Sequence, residues 1–424
     1  MDTIFALSSG QPPAAIAVLR ISGPQAGAAL VELAGGLPRP RQARLRTLRG
    51  ENGEMLDRAL VLWFPGPATA TGEDLAELHL HGGRAVIAAV EQALAGIAGL
   101  RRAEAGEFTR RAFANGLIDL AEAEGLADLL AAETELQRRS AVAMAGGALS
   151  KQAAEWRNLV LARSAQLEAA LDFDDEDDVA PLPAEFLSQI KGLEQEIRAW
   201  LDAPRAEILR EGFRVVLAGP PNSGKSTLFN VLVESEAAIA TPIAGTTRDV
   251  LVRPVAIAGI PFSFVDTAGL REAGSDAIEE IGISKARGEL ERADLVLWLG
   301  EEGEGPPECW EIEPQIDLED RRCKISPDFR VSALTGEGMP GLKHALVERA
   351  RQSMPRPGET ALNLRQRDLL GDVAAALAEV DEAQDLLLVA EQLRQARIAF
   401  DRLIGRASTE DMLDALFGRF CIGK

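Results

Sequence analysis

Cysteine, basic charge and long apolar runs are all scarce in this 424-residue sequence. The three cysteines, Cys309, Cys323 and Cys421, are too few and too scattered for a disulfide framework or a zinc site. No apolar run approaches the roughly 20 residues that span a bilayer, and the first residues lack the basic and apolar regions of a signal peptide. We therefore expect a protein of the reducing cytoplasm without a membrane segment.

The charge balance is acidic, because 45 Lys and Arg residues face 66 Asp and Glu residues and leave a net charge of −21. A chain this negative repels phosphate backbones at long range, which argues against a protein that coats nucleic acid broadly. If RNA is a partner, a local site or a basic partner protein must supply the contacts. The length predicts two or three domains.

Four segments differ in their hydrophobic pattern. Residues 1–116 alternate short β-like runs with Gly/Pro turns, which predicts an α+β domain. Residues 117–211 and 351–424 have leucines at helical spacing, whereas residues 212–350 have the strand–loop–helix rhythm of a doubly wound α/β sheet. The sequence therefore predicts a helical domain split by an inserted α/β domain. The run Asp172–Asp178 is interpreted as a solvated acidic loop.

One motif in the inserted domain predicts nucleotide binding. Residues Gly219–Ser226 (GPPNSGKS) match G-x-x-x-x-G-K-[ST], and they lie between a predicted strand and a predicted helix, Thr227–Val233. Glycines let backbone N–H groups curl around phosphates at a helix N-terminus, where the dipole favours anions. Lys225 would neutralise the β- and γ-phosphates, and the Ser226 hydroxyl would bind Mg²⁺.

Two downstream segments supply the remaining phosphate contacts. In Gly245–Asp249 (GTTRD), Thr247 is the candidate that closes over the γ-phosphate and gives Mg²⁺ a second protein oxygen. In Asp266–Gly269 (DTAG), which ends an apolar strand, Asp266 would support the Mg²⁺ shell and the Gly269 N–H would sense the γ-phosphate. Three such elements in this order are typical of a Ras-like switch GTPase with a P-loop.

The base-recognition motif departs from N-K-x-D. The matching stretch is Pro314–Asp317 (PQID), which keeps only Asp317, and the preceding Trp310–Glu313 is a poor strand by its pattern. Ser332–Leu334 fits the loop that supports the base. We expect guanine as the base, with reduced discrimination as the alternative.

Segments along the whole chain resemble the MnmE (TrmE) family of tRNA-modification GTPases. They include DTIFALSS, LRISGP, TGEDLAELHLHGG, AGEFTRRAFANG, GPPNSGKS, TPIAGTTRDV, DTAGLRE and the terminal FCIGK. The resemblance implies a GTPase that acts with the flavoprotein MnmG (GidA) in a heterotetramer. Together they add a carboxymethylaminomethyl-type group to C5 of the wobble uridine of certain tRNAs. It also implies an N-terminal folate-binding-like domain that dimerises and holds a 5-formyl-tetrahydrofolate-type one-carbon donor.

The resemblance assigns roles residue by residue. It implies hydrolysis that depends on K⁺, bound by Asn222, Thr241, Ile243 and Thr246, with Glu279 positioning the attacking water. It implies folate contacts at Arg20, Glu77 and Lys424, and a role of Cys421 near the modification chemistry. Motifs and resemblance together give the GTP-binding residues Asn222, Ser223, Gly224, Lys225, Ser226, Thr227, Thr241, Pro242, Ile243, Ala244, Gly245, Thr246, Thr247, Asp266, Thr267, Ala268, Gly269, Asp317, Ser332 and Ala333.

Other interpretations of these residues stay open. Without the resemblance, Glu279 reads as a solvated helix carboxylate, Arg20 as a strand-edge charge and Glu77 as a surface carboxylate. Leu117 also stands where the family usually has a lysine that contacts the folate. An assembly GTPase of the Era type is the alternative function, although such a factor should carry a basic RNA-binding module. The PQID segment alone suggests a third possible function, a degenerate protein that binds a nucleotide in a purely structural role.

Overall fold

The structure, a computed structural model, describes residues 2–172, 185–203, 206–234, 251–267, 288–318, 324–355, 361–381, 385–407 and 409–424. The chain forms two compact units. The first comprises Met1–Ala127, Ser150–Ala154 and Phe400–Lys424, and the second comprises Asp128–Leu149 and Glu155–Ala399. The four-part division at residues 116, 211 and 350 stays a prediction.

A six-stranded sheet organises the first unit. Its strands lie in the order β3-β4-β5-β2-β1-β6, and all neighbours are antiparallel except β1 and β6. The strands are β1 (Thr3–Leu7), β2 (Ile16–Ser22), β3 (Arg44–Arg49), β4 (Met55–Phe64), β5 (Leu75–His81) and β6 (Leu100–Arg102). The helices that begin within Met1–Ala127 are α1 (Ala26–Ala34), α2 (Arg84–Gly96), α3 (Glu107–Ala114) and α4 (Leu120–Ala131).

Alternation in the strands decides which face of this sheet is apolar. In β5, Ala76, Leu78 and Leu80 are buried in the core that α1 and α2 complete. The intervening Glu77 and His79 lie on the opposite face, because successive side chains of a strand point to opposite sides. The expected mixture of helix and strand in this part of the chain is confirmed.

The second unit contains the other six-stranded sheet, in the order β12-β11-β10-β7-β9-β8. Its neighbours are parallel except β8 and β9, and β9 is buried along its whole length, as expected for a strand covered on both faces. The strands are β7 (Phe213–Ala218), β8 (Leu251–Ile257), β9 (Ile260–Asp266), β10 (Leu295–Trp298), β11 (Trp310–Pro314) and β12 (Phe329–Val331).

Strand β11 corrects one expectation, because Trp310–Glu313 was predicted to be a poor strand. The acidic side chains that weakened its pattern are neutralised by tertiary contacts. Glu311 Oε2 accepts a hydrogen bond from Lys324 Nζ at 2.5 Å, and Glu313 Oε2 accepts one from Arg330 Nε at 2.7 Å. Paired carboxylates can therefore lie in a strand whose sequence alone disfavours it.

The helix Leu364–Ala378, α11, follows the predicted periodicity. Leu369, Leu370, Val373 and Leu377 are all buried on one helix, α11. Among the described residues, no helix is long and apolar enough to cross a membrane. Of the run Asp172–Asp178, only Asp172 lies within the described residues. The helices are α5 (Glu135–Ala145), α6 (Ala148–Asp172), α7 (Phe186–Leu201), α8 (Ala206–Glu211), α9 (Lys225–Glu234), α10 (Met339–Ser353), α11 (Leu364–Ala378), α12 (Leu386–Leu403) and α13 (Glu410–Phe417).

Candidate functional site

The loop between β7 and α9 has the backbone form that phosphate binding requires. Gly219 and Gly224 have φ values of 149° and 95°, and Asn222 has a φ of 60°. These values are in the region that favours glycine and that asparagine tolerates. A Cβ at Gly219 would lie 3.1 Å from the backbone of Leu299 and Gly300, so the close approach of two chain segments also requires glycine there.

Lys225 is the first residue of α9, and its side chain folds back to contact this loop. Its side chain is 5% exposed, and its Nζ donates a hydrogen bond to the Pro220 carbonyl oxygen at 2.6 Å. A buried ammonium at the N-terminus of a helix places a full positive charge beside backbone N–H groups. The arrangement can bind a polyphosphate.

Two oxygen-bearing side chains meet at the end of β9. Ser226 Oγ donates a hydrogen bond to Asp266 Oδ2 at 2.7 Å, and Asp266 is 3% exposed. Thr267 Oγ1 donates to the Leu217 carbonyl oxygen at 2.8 Å, which ties the following residue to β7. A hydroxyl and a carboxylate so close together are oxygen donors of the kind that suits Mg²⁺.

A cavity of about 210 Å³ lies beside the P-loop, where the sequence places the base. Asp317 lines it, and Asp317 Oδ1 accepts a hydrogen bond at 2.5 Å from the fully buried Ser332. The Ser332 hydroxyl in turn accepts from the Thr335 N–H at 3.0 Å, so the carboxylate is held in one orientation. The lining residues are Gly224, Thr227, Leu228, Pro314, Gln315, Asp317, Leu318, Val331, Ala333 and Leu334.

Gln315 is a lining residue that the sequence did not single out. It occupies the lysine position of N-K-x-D with a φ of 57°, and its side-chain amide lies 3.3 Å from where a Cβ of Gly224 would be. The base segment therefore packs directly on the P-loop. A positive-φ residue has no clear sequence signal unless it is glycine or asparagine, which is why pattern alone could not identify this one.

Several candidate residues lie outside the described residues. They are the K⁺ and Mg²⁺ candidates of the first switch segment, the residues after Thr267, and the water-positioning acid: Thr241, Pro242, Ile243, Ala244, Gly245, Thr246, Thr247, Ala268, Gly269 and Glu279. Asn222, Ser223, Gly224, Lys225, Ser226 and Thr227 are brought together with Asp266 and Thr267 around the P-loop, and Asp317, Ser332 and Ala333 around the cavity.

In the first unit, the candidate folate residues Arg20 and Glu77 form an ion pair. They are directly opposite on β2 and β5, and Arg20 donates to Glu77 Oε1 from Nε at 3.2 Å and from Nη2 at 2.9 Å. Burial raises the pKa of Glu77, but hydrogen bonds from Arg20 and His79 outweigh it and hold that pKa below its usual range. The guanidinium also lies 5.9 Å from the ring centroid of Phe108, a contact that the sequence did not predict.

The C-terminal tail packs on the same sheet. Ser8 Oγ donates to the Gly423 carbonyl oxygen at 2.8 Å, and Ile422 forms an antiparallel bridge with Ala105. Cys421 is exposed and Lys424 is half-buried. Ala105 lies three residues before Phe108, the ring under Arg20, so the tail and the ion pair are linked through one short segment.

Comparison with known families covers both units. The model of the MnmE helical domain matches residues 120–421, and the model described as GTP-binding protein TrmE N-terminus matches residues 3–117. Among solved structures, the G domain of the T. maritima FeoB iron transporter is 25% identical; the match covers 32% of this chain and 98% of that chain. Its TM-score is 0.24, too low to bear on the fold.

Two relatives that match along their whole length are named tRNA modification GTPase MnmE. The protein of Erythrobacter litoralis is 63% identical over 424 residues, and that of Novosphingobium aromaticivorans is 62% identical over 435 residues. In both comparisons 100% of this chain and 100% of the relative are covered. Because this identity extends along the whole chain, the chain belongs to the MnmE family of tRNA modification GTPases.

Proposed function

We propose that this chain hydrolyses GTP on residues 212–350 and uses that cycle in tRNA modification. With the flavoprotein MnmG (GidA), it adds a carboxymethylaminomethyl-type group to C5 of the wobble uridine of certain tRNAs. The observation that supports GTP binding is the cavity beside Gly224, where Asp317 accepts a hydrogen bond from Ser332 at 2.5 Å. Membership of the MnmE family supports the role in tRNA modification.

Mg²⁺ fits the oxygen donors at the end of β9. Ser226 and Thr247 are the proposed ligands, and Asp266, already 2.7 Å from Ser226 Oγ, would orient the serine. The ion would neutralise charge on the β- and γ-phosphates. Lys225 binds the same phosphates from the helix side, and Gly269, after Asp266, senses the γ-phosphate.

K⁺ is the proposed second cation, bound by Asn222, Thr241, Ile243 and Thr246. Such an ion supplies positive charge near the β- and γ-phosphates, where many GTPases use an arginine. Glu279 would position the attacking water. Among the described residues, Asn222 supports this proposal, because it is exposed in the P-loop with a φ of 60°.

Asn222→Gly should remove the advantage of K⁺ over Na⁺. We expect wild-type hydrolysis to be about tenfold or more faster in K⁺, and the variant to be slow in both salts, because transition-state charge loses its counter-ion. Glycine is preferred to alanine at this position, since alanine in the left-handed region adds about 1–2 kcal/mol of strain. Phosphate release in matched KCl and NaCl measures the effect.

Asn230→Ala is the matched control, because Asn230 is an exposed asparagine on α9. It should keep the wild-type ratio between the two salts. Equal wild-type turnover in K⁺ and Na⁺ would rule out the assigned ligands.

The base should be read by Asp317. Its carboxylate can accept two hydrogen bonds from guanine, and Ser332 limits its rotation. We expect GTP to bind roughly 10²-fold or more tightly than ATP, because adenine cannot donate the two hydrogen bonds that the Asp317 carboxylate accepts from guanine. Asp317→Asn should invert the preference toward XTP, whose ring carbonyl can accept from the new amide.

Competition binding with GTP, ATP and XTP measures this preference. Glu348→Ala, at an exposed carboxylate on α10, is the control and should leave it unchanged. GTP and ATP binding within about threefold of each other would mean that PQID has abolished discrimination.

The first unit is the proposed site of the one-carbon donor. The half-buried Arg20–Glu77 pair offers a charged donor and a charged acceptor side by side, which fits the polar edge of a 5-formyl-tetrahydrofolate-type molecule. Lys424 would complete the set, and Cys421 would act in the modification chemistry. Because Leu117 replaces the lysine usual in the family, we expect weaker folate binding than in relatives that keep it.

The assembly proposed for this work is larger than one chain. Residues 1–116 would form the folate-binding-like domain through which two chains dimerise, and residues 117–211 with 351–424 the helical domain. The homodimer would join MnmG in a heterotetramer in the cytoplasm. Mass analysis of wobble uridines from cells lacking this gene tests the proposal; unchanged modification would favour a GTPase without a modifying role.

A further inference from the structure

The edge strand of the first sheet carries an unusual concentration of arginine. Residues 36–50 contain five arginines and no acidic residue, in a chain whose net charge is −21. Strand β3 ends the sheet order, so within the described sheet one of its sides has no neighbouring strand. Four exposed residues form what we call the arginine edge: Arg39, Arg44, Arg46 and Arg58.

Within the described residues, the charges of the arginine edge have no acidic partner. In the part of the chain that the structure describes, no carboxylate lies within 4.0 Å of these four guanidinium groups. Two neighbouring arginines are left out of the arginine edge because they contact other groups of the protein. Arg41 lies 5.7 Å from the ring centroid of Phe64, and Arg49 donates to the Gly53 carbonyl oxygen at 2.8 Å. The nearby acid Asp57 is occupied by His81.

The arrangement is a line of charge and not a pocket. Arg44 and Arg46 are opposite Val61 and Ala59 of β4, on one side of the sheet, and residues two apart in a strand are about 6.7 Å apart. Arg58 is opposite Thr47 and therefore faces the other side. Positive charge thus follows the rim of the sheet, which suits an extended polyanion better than a single small anion.

We propose that the arginine edge binds the phosphate backbone of the tRNA substrate. The inference rests on the proposed function and identifies the local contact that so acidic a chain needs. Guanidinium groups bind phosphate oxygens with paired hydrogen bonds, and each contact releases counter-ions from the nucleic acid. Backbone contacts position an RNA without reading its sequence, so the anticodon would be read elsewhere.

Arg44→Ala/Arg46→Ala in the full-length chain tests this surface. The probe is an unmodified, fluorescently labelled tRNA transcript, titrated by anisotropy from about 50 to 200 mM KCl. We expect Kd to rise roughly tenfold at mid-range salt, and the slope of log K against log salt to fall by about 1 per arginine. Arg44→Lys/Arg46→Lys should keep most of the affinity, because the charges remain.

Arg138→Ala/Arg139→Ala is the matched control. These two arginines are about half exposed, but both already pair with Glu135, at 2.7 and 2.6 Å. The control should leave tRNA binding unchanged. GTP hydrolysis without tRNA should be the same in all the variants.

A wild-type Kd and salt slope in Arg44→Ala/Arg46→Ala would overturn the inference. If that variant also self-associates in sedimentation, the arginines serve to prevent edge-to-edge pairing of sheets. If it instead loses binding to vesicles containing anionic lipid while tRNA binding persists, the edge binds a membrane. If the wild-type chain binds no tRNA, both the proposed function and this inference are overturned. If Arg44→Ala/Arg46→Ala binds and modifies tRNA normally, this inference alone is overturned.

Discussion

Lys225→Ala is expected to abolish GTP binding at micromolar nucleotide and, with it, hydrolysis. The Lys225 ammonium is buried and already held at the loop by the Pro220 carbonyl oxygen, so little ordering is needed when phosphate arrives. Charge-assisted hydrogen bonds contribute about 1.5–3 kcal/mol each, so loss of two contacts predicts a rise in Kd of about 10²–10⁴-fold. Titration calorimetry with a non-hydrolysable GTP analogue measures it.

Two further variants separate charge from position. Lys343→Ala removes the same charge from α10, outside the P-loop, and should bind GTP as the wild type does. Lys225→Arg keeps the charge but places a branched group at a site only 5% exposed, so we expect most of the affinity to be lost. If Lys225→Ala is folded by circular dichroism and binds GTP within about threefold of wild type, Lys225 is not the phosphate ligand.

The nucleotide loop could be predicted from sequence because its determinants are local. Gly219, Gly224, Lys225 and Ser226 lie within eight consecutive residues, and the flanking strand and helix have clear patterns. The contact between Ser226 and Asp266 spans 40 residues, yet the order of motifs predicted it, because parallel strands bring their carboxyl ends to one edge of a sheet.

The base cavity was harder to predict because its walls depend on tertiary contacts. The strand before PQID carries Glu311 and Glu313, and contacts with Gly303, Lys324 and Arg330, all outside the strand, make those carboxylates compatible with a sheet. The packing of Gln315 on Gly224 follows from a backbone angle that no local pattern encodes. Sequence could therefore name Asp317 but not the cavity around it.

The position of the C-terminal tail has no local signal at all. Ser8 and Gly423 are 415 residues apart, and their hydrogen bond closes almost the whole chain. Periodicity describes how a segment folds on itself, not which distant surface it meets. Only the resemblance to a family suggested that the tail lies near the first sheet, where the contacts with Leu7, Ser8 and Ala105 now place it.

Because the tail is packed on the first unit, deleting it would remove packing and any chemistry of Cys421 together. Gly423 is buried with a φ of 94°, and a Cβ there would lie 2.1 Å from the Leu7 carbonyl oxygen. Gly423→Ala should therefore strain the tail and lower the melting temperature by roughly 3 °C or more. Cys421 is exposed, so its replacement should affect packing little.

Cys421→Ser is accordingly expected to lower wobble-uridine modification by about 10²-fold or more, because a hydroxyl is a far weaker nucleophile than the thiol proposed for this chemistry. The GTPase rate and melting temperature should stay at wild-type values, since the nucleotide site is built from other residues. Ile422→Ala, at the adjacent exposed side chain, is the control and should modify tRNA normally. Modification is measured by mass analysis of tRNA from cells that carry each variant as the only copy. If Cys421→Ser modifies tRNA normally while Gly423→Ala is impaired and unstable, the tail only completes the packing of the first sheet, and the thiol has no part in the reaction.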